Sequence, residues 1–335
     1  MASILYIIMK YQALILIFVI LISLSVFHQT NVFSESQVVG GSDKTASISV
    51  LNSGEKTVSS DTDEKQSDTV NQTNNSSLSL SAVIEGHSVL KEETVENICL
   101  PLQTNIFLVK NLEDGKVVLE NRSASRWPIA SITKLMTALI ALENMNLSSI
   151  IEISPSAFEK SAGSDFLSSG GKYSVENLIK ASLIFSSNEA AYALTEGFGY
   201  EGFVSKMNQK AKELGMSQSF FEEPTGLSYL NQSNLSDLSL LMGYIYRNKP
   251  LIFDISRRSR ISIREESSGK VKSFNNINLF AGQSDFFGGK TGFIDASGGN
   301  LVTLFEKGGK MFFIGVFSSG DRFGDVEKLL ECIGQ

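Results

Sequence analysis

Histidine is almost missing from this chain. Among 335 residues there are two, His28 and His87, and both fall in stretches whose composition does not suit a packed fold. That placement removes from residues 96–335 the imidazole base of a Ser-His-Asp or Cys-His mechanism and any histidine-ligated zinc. Cysteine is equally scarce: Cys99 and Cys332 stand at the front and back of the same region. Two thiolates without histidine make a poor metal site, and no metal or other cofactor is expected. The pair itself leaves two readings open, two buried thiols or one bridge tying together the ends of a domain outside the cytoplasm. An excess of basic charge is also lacking. Residues 1–95 hold 5 Lys/Arg against 10 Asp/Glu, and residues 96–335 hold 24 against 26. A nearly neutral domain carries no electrostatic footprint for nucleic acid, so no such partner is expected.

What is present begins with an apolar run. No residue between Lys10 and Glu35 is charged, and "YQALILIFVILISLSVF" (11–27) is just long enough to span a bilayer. With Lys10 before it, the run is expected to keep the amino terminus inside and send the rest of the chain out of the cytoplasm. Ser23-Leu24-Ser25 offers a weak small-x-small cleavage pattern. Residues 1–30 are therefore read as a membrane anchor, or as a signal segment of a secreted protein if cleaved. Residues 31–95 are rich in Ser, Thr, Asn, Gln and Asp, as in "VSSDTDEKQSDTVNQTNNSS". They cannot bury enough apolar surface to offset their ordering entropy and are expected to form a disordered tether.

Residues 96–335 carry periodic patterns. "NIFLVKNLEDGKVVLENR" alternates around Asp114-Gly115, which predicts a hairpin. Helices are predicted over 130–144, 174–185 (opened by Ser174), 188–197, 200–214 and 236–247. Strand-like "RISIRE", "KVKSFNNI", "GGNLVTLFE" and "KMFFIGVFSS" follow, and a helix over 325–333 closes the chain. The order predicts an α+β fold in which both chain ends build one antiparallel sheet beside a helical subdomain.

The chemistry starts from "WPIASITKLMTALIALE". Ser-x-x-Lys occurs at 53/56, 88/91, 131/134, 169/172 and 267/270, but only the 131/134 copy lies in a well-formed helical pattern. Ile132, Leu135, Met136, Leu139 and Ile140 mark one face, with Ser131 and Lys134 on another and within mutual reach. The serine is expected in the first helical turn, where free backbone N–H groups can hold an oxyanion. Lys134 can act as its base only if burial or a neighbouring cation lowers its pKa. "GGKTGFIDASGG" supplies that second lysine, Lys290, expected at a strand start with glycines that admit a substrate backbone. "FSSNEAA" sets Ser186 and Asn188 at a junction of two helices. Alone, each of these is more often a cap or a turn.

Together and in this order, Ser-x-x-Lys, Ser-x-Asn and Lys-Thr-Gly resemble the penicillin-binding proteins and serine β-lactamases. "PIASITKLMTALIALE", "FSSNEAAYAL", "FEEPTGLS" and "GGKTGFIDASGGNLV" resemble most the low-molecular-weight D-alanyl-D-alanine carboxypeptidases and endopeptidases, over about 100–330. The resemblance implies a transpeptidase-like fold for a penicillin-binding domain at 96–335, acting on peptidoglycan stem peptides and trapped covalently by β-lactams. Taken with the apolar run at 11–27, it makes the bacterial cell membrane the expected location, the catalytic domain lying outside the cytoplasm behind a single amino-terminal anchor, or secreted if that segment is cleaved. It also implies roles: Ser131 as nucleophile, Lys134 as its base and Ser186 as proton relay. Asn188 would hold the substrate amide, and Lys290, Thr291 and Gly292 the substrate's carboxylate end. Backbone N–H groups of Ser131 and Phe293 would form the oxyanion hole. Two other functions fit the same motifs. A β-lactamase needs a group to activate the deacylating water, for which Glu222 or Glu223 stands in the right interval, although both read equally as surface charges at a turn before Pro224. A penicillin sensor or wall-binding protein without turnover would keep the serine and lysine.

Overall fold

The computed structural model describes residues 101–160 and 166–333. The expected anchor (1–30) and tether (31–95) lie outside the described residues, as does Cys99. Cys332 is disulfide-bonded. Among the described residues no helix is long and apolar enough to cross a membrane.

Three strands near the carboxyl end are buried along most of their length because their sheet is covered on both faces. They are β9 (Phe286–Ile294), β10 (Gly298–Lys307) and β11 (Lys310–Ser319). The amino-terminal hairpin of β1 (Ile106–Asn111) and β2 (Val117–Asn121) completes an antiparallel sheet in the order β2-β1-β11-β10-β9. The turn between β1 and β2 closes with Asn111 N–H on Lys116 O at 2.9 Å and with Gly115 at φ +74°. The first and last strands of the described residues therefore meet in one sheet, with β1 lying against β11 in the register Val109 to Ile314.

Alternation along β11 sorts the two cores. Met311, Phe313 and Phe317 join the larger core beneath the helical layer, while Phe312, Ile314 and Val316 join a second one with Val326 and Leu329. Those last two belong to the closing helix α8 (Arg322–Ile333), which packs on β11 and β10. The helical layer contains α1 (Thr133–Asn144), α2 (Pro155–Lys160), α3 (Val175–Ile184), α4 (Asn188–Phe198), α5 (Tyr200–Glu213), α6 (Leu235–Asn248) and α7 (Leu251–Ser256). Side-chain caps start three of them: Ser174 Oγ accepts from Asn177 N at 3.2 Å, Ser187 Oγ from Ala190 N at 3.0 Å, and Asn234 Oδ1 from Asp237 N at 2.7 Å. Short pairs join β3 (Trp127–Pro128) to β6 (Gln232–Ser233), and β4 (Ile150–Glu152) to β5 (Lys172–Ser174).

Three details depart from the periodicity. The helix expected over 130–144 opens as a single 3-10 turn, Ala130–Ile132, with Ala130 at φ +50°, and becomes α-helical at Thr133. Residues Thr133 to Ala141 are then buried on every side, because α1 runs through the middle of the helical layer against α3, α4 and α5. The strands β7 (Arg260–Arg264) and β8 (Val271–Asn275) pair only with each other. Their alternate residues are exposed, and Ile261 and Ile263 pack on α3 from a separate flap.

Phe313 is fully buried at the centre of β11. Replacing it with alanine should lower unfolding stability by about 3–5 kcal/mol in a urea titration, and a loss below about 1 kcal/mol would mean that this core does not hold the sheet to the helices.

Candidate active site

The segment that carries Ser131 is fixed before α1 begins. Trp127 Nε1 donates to Ser297 O at 2.9 Å, Asn300 Nδ2 to Pro128 O at 2.9 Å, and Ile129 N to Asn231 O at 3.0 Å. The first two ties press residues 127–132 onto the β9–β10 hairpin and the third onto the loop before β6, and together they hold Ala130 in a left-handed conformation uncommon for an L-residue. Ser131 emerges half-buried from this turn, and Lys134 follows one turn later with no exposed surface.

Lys134 Nζ lies 2.9 Å from Ser131 Oγ, 2.7 Å from Asn188 Oδ1 and 2.5 Å from Thr225 O. A neutral amine has two N–H donors and one lone pair. The amide and carbonyl oxygens match the two donors, and the lone pair is left for the Ser131 hydroxyl. The electrostatics favour that neutral form. Burial pulls the pKa from 10.5 down to about 7, against the opposing pull of the Glu223 and Glu189 carboxylates.

A second serine–lysine pair faces this one. Lys290 Nζ donates to Ser186 Oγ at 3.0 Å and to Thr291 O at 2.9 Å. Ser186 sits at φ +61°, between the end of α3 and the capping Ser187. The preceding Phe185 is stacked on Phe274 of β8 with ring centroids 4.2 Å apart, which fixes the bend that turns the hydroxyl toward Lys290. Lys290 and Thr291 are buried in the middle of β9, not at its start, because Phe286 to Gly289 already pair with β10. Burial, Lys134 and Arg322 together hold the Lys290 pKa well below its usual value. An arriving carboxylate would reverse that effect.

Gly292 permits the close approach of β9 to the Ser131 turn. A Cβ at this position would lie 2.6 Å from Ile129 O and 3.3 Å from Ser131 N. Phe293, next along the strand, is 62% exposed at the rim. The structure thus brings Ser131, Lys134 and Asn188 into one hydrogen-bonded group and Ser186, Lys290 and Thr291 into another, with Gly292 joining the two.

One neighbour escaped the motif reading, and another was read there in a different role. Arg322, at the start of α8, donates from Nη1 to Gly292 O at 2.8 Å and adds a cation behind the Lys290 strand. One local signal exists, since an arginine in a helix's first turn opposes the helix dipole and asks for another reason to be there. The other is Glu223. Glu222 is an exposed charge bonded to Ser228 Oγ, but Glu223 is half-buried with both oxygens occupied. The alternatives of a surface charge or a free water-activating base do not describe it.

A serine hydrogen-bonded to a buried lysine, a second such pair beside it and no histidine define a serine acyl-transfer enzyme with lysine in place of imidazole. Comparison with known proteins agrees. The chain belongs to peptidase family S11, the D-alanyl-D-alanine carboxypeptidases, whose pattern it matches over residues 91–318. It is 36% identical over 219 residues to a D-alanyl-D-alanine endopeptidase of Haemophilus influenzae, covering 63% of this chain and 74% of that one. It is 28% identical over 230 residues to the D-alanyl-D-alanine carboxypeptidase DacF of Bacillus subtilis, covering 65% and 59%. Among solved structures it resembles penicillin-binding protein D2 of Listeria monocytogenes in its ampicillin-bound form, with TM-score 0.61, 27% identity and coverage of 70% and 99%. Among the described residues no cluster of His, Cys, Asp or Glu could hold a metal ion.

The lowered pKa of Lys134 predicts a pH dependence. A base with its pKa lowered to about 7 is protonated and inactive below that value. The rate constant for acylation by a penicillin should therefore rise with pH through a midpoint near 7 and then level off, and a midpoint near 10 would contradict the assignment. Lys134→Ala should lower the plateau by at least about a hundredfold, in the range of general-base catalysis.

Proposed function

We propose that this protein hydrolyses D-alanyl peptide bonds in peptidoglycan stem peptides through an acyl-enzyme on Ser131. The observation that carries this reading is the three-way seating of Lys134 Nζ on Ser131, Asn188 and Thr225. As Ser131 Oγ attacks the D-alanyl carbonyl, its proton passes to the Lys134 amine. The backbone N–H groups of Ser131 and Phe293 receive the developing oxyanion. Collapse breaks the C–N bond, and the proton that Lys134 took passes through Ser186, whose oxygen is held by Lys290, to the leaving amine, which leaves Lys134 neutral again. Lys290 and Thr291, with Arg322 behind them, bind the carboxylate end of the substrate, while Asn188 orients its amide. Water then attacks the ester, gives a proton to Lys134, and Ser131 leaves reprotonated.

Within this chemistry we read cleavage of D-alanyl crosslinks as the preferred reaction, supported by the greater identity to the endopeptidase than to the carboxypeptidase. A β-lactam supplies a strained amide to the same nucleophile and retains its leaving group, so the reading includes penicillins as covalent inhibitors. Rapid β-lactam hydrolysis has no support here, because the Glu223 carboxylate, the best-placed base for water, is already occupied by donors. The apolar run at 11–27 supports an extracytoplasmic catalytic domain held at the bacterial cell membrane.

Intact mass measured during incubation with a penicillin should show one stable adduct mapping to Ser131, and none in Ser131→Ala. An adduct on the variant, or fast drug consumption without an adduct, would overturn the reading. Digestion of crosslinked muropeptides should yield uncrosslinked monomers faster than free D-alanine, and the reverse order would assign the carboxypeptidase reaction instead.

A further inference from the structure

The loop between α5 and α6 does more than connect them. Its Thr225 carbonyl is one of the three partners of Lys134 Nζ, its Pro224 carbonyl accepts from Thr137 Oγ1 at 2.7 Å, and its Gly226 presses on the nucleophile turn. Gly226 has φ +85°, and a Cβ there would sit 1.9 Å from Ala130 O. A loop this close to the nucleophile needs an internal brace, and one side chain provides it. Glu223 Oε2 accepts from Thr225 N at 2.6 Å and from Thr225 Oγ1 at 2.5 Å. Its Oε1 accepts from Gly226 N at 2.6 Å, from Asn231 Nδ2 at 2.6 Å and from Ser228 N at 3.4 Å. Asn231, fully buried, returns the tie: its Oδ1 accepts from Glu222 N and Glu223 N, and its Nδ2 donates to Thr133 Oγ1 at 3.3 Å in α1.

Five donors converge on two oxygens. Only an ionised carboxylate, which accepts at every lone pair and donates nowhere, satisfies that arrangement. The brace closes on the residue whose carbonyl meets the lysine. We propose that Glu223 is a positioning residue for acylation: it holds the Thr225 carbonyl on the Lys134 amine, aiming the lone pair at Ser131, and acts on the substrate only through Lys134. This rests on the reading of Lys134 as the base.

The same carboxylate carries charge toward Lys134, where it opposes the effect of burial. The groups facing Lys134 are then Glu223 from the loop, Glu189 of α4, and Lys290 of β9, and only the first changes in the test. Two consequences separate positioning from simple support of the fold. Glu223→Gln keeps the size but sets an NH2 group against N–H donors, so the Thr225 carbonyl loses its place and the high-pH plateau of acylation falls. It also removes the negative charge that favours protonated Lys134, so the midpoint of the pH profile moves to lower pH. Loss of folded protein alone would lower the amplitude at every pH and leave the midpoint where it was.

The test is the pH dependence of acylation by a fluorescent penicillin, with the parental protein, Glu223→Gln and Glu223→Asp compared at matched melting behaviour. Glu223→Gln should lose at least about tenfold in plateau rate, with its midpoint shifted down. Glu223→Asp keeps the charge on a shorter stem, so its midpoint should stay while its plateau falls, and it carries the test if the glutamine variant does not fold. An unshifted midpoint in folded Glu223→Gln, or a parental plateau in either variant, overturns the proposal. So does normal acylation with a selectively prolonged adduct, which would make Glu223 an activator of water. If the parental protein itself fails to form the adduct, the reading of Lys134 as base fails first, and the two failures are distinguished.

Discussion

A lysine held inside the protein without a carboxylate bonded to its amine is the constraint on which the site depends. Lys134 is fully buried, and its pKa falls from 10.5 to about 7. That difference amounts to roughly 5 kcal/mol in favour of the neutral amine over the ammonium. Because the folded value lies below the unfolded one, folding near neutral pH releases a proton from part of the population of this group. The resulting penalty is complete below about pH 7 and fades as pH rises toward the unfolded value. The rest of the fold stabilises a base that, in water, would remain charged.

The architecture explains how that is done. α1 runs through the centre of the helical layer, so Lys134 is enclosed from all sides, and the burial arises from the course of the chain more than from any single neighbour. The two hydrogens of the neutral amine are matched by Asn188, brought in by the cap of α4, and by Thr225, brought in by the braced loop. The sheet supplies the opposite wall. Gly292 lets β9 approach the nucleophile turn, and Lys290 reaches Ser186 from the same strand. Three elements distant in sequence therefore converge on one proton path, and each is anchored by contacts separate from the reacting groups.

How much of this was legible beforehand follows from which interactions are local. Caps and periods are local, so Ser174, Gly115 and the apolar runs of β10 and β11 announced the hairpin, the helices and the sheet. The three motifs were legible as a set because their order constrains them jointly. Sequence could not show that the flap β7–β8 stands apart, since pairing partners of short alternating strands depend on what covers them. Nor could periodicity reveal that Ser131 precedes the α-helix, because the left-handed Ala130 is imposed by Ser297, Asn300 and Asn231 from elsewhere. Arg322, and the bracing role of Glu223, were invisible for the same reason. Each acts through a backbone group, Thr225 or Gly292, whose position is a property of the assembled fold.

The most direct test of this account is a titration of Lys134 itself, by following its side-chain Cε and Nζ resonances in isotopically labelled protein, with Lys134→Met used for assignment. The account predicts a titration midpoint near 7, well separated from the exposed lysines. A midpoint at or above about 10 would contradict it, because a lysine charged throughout the neutral range could not take the proton of Ser131.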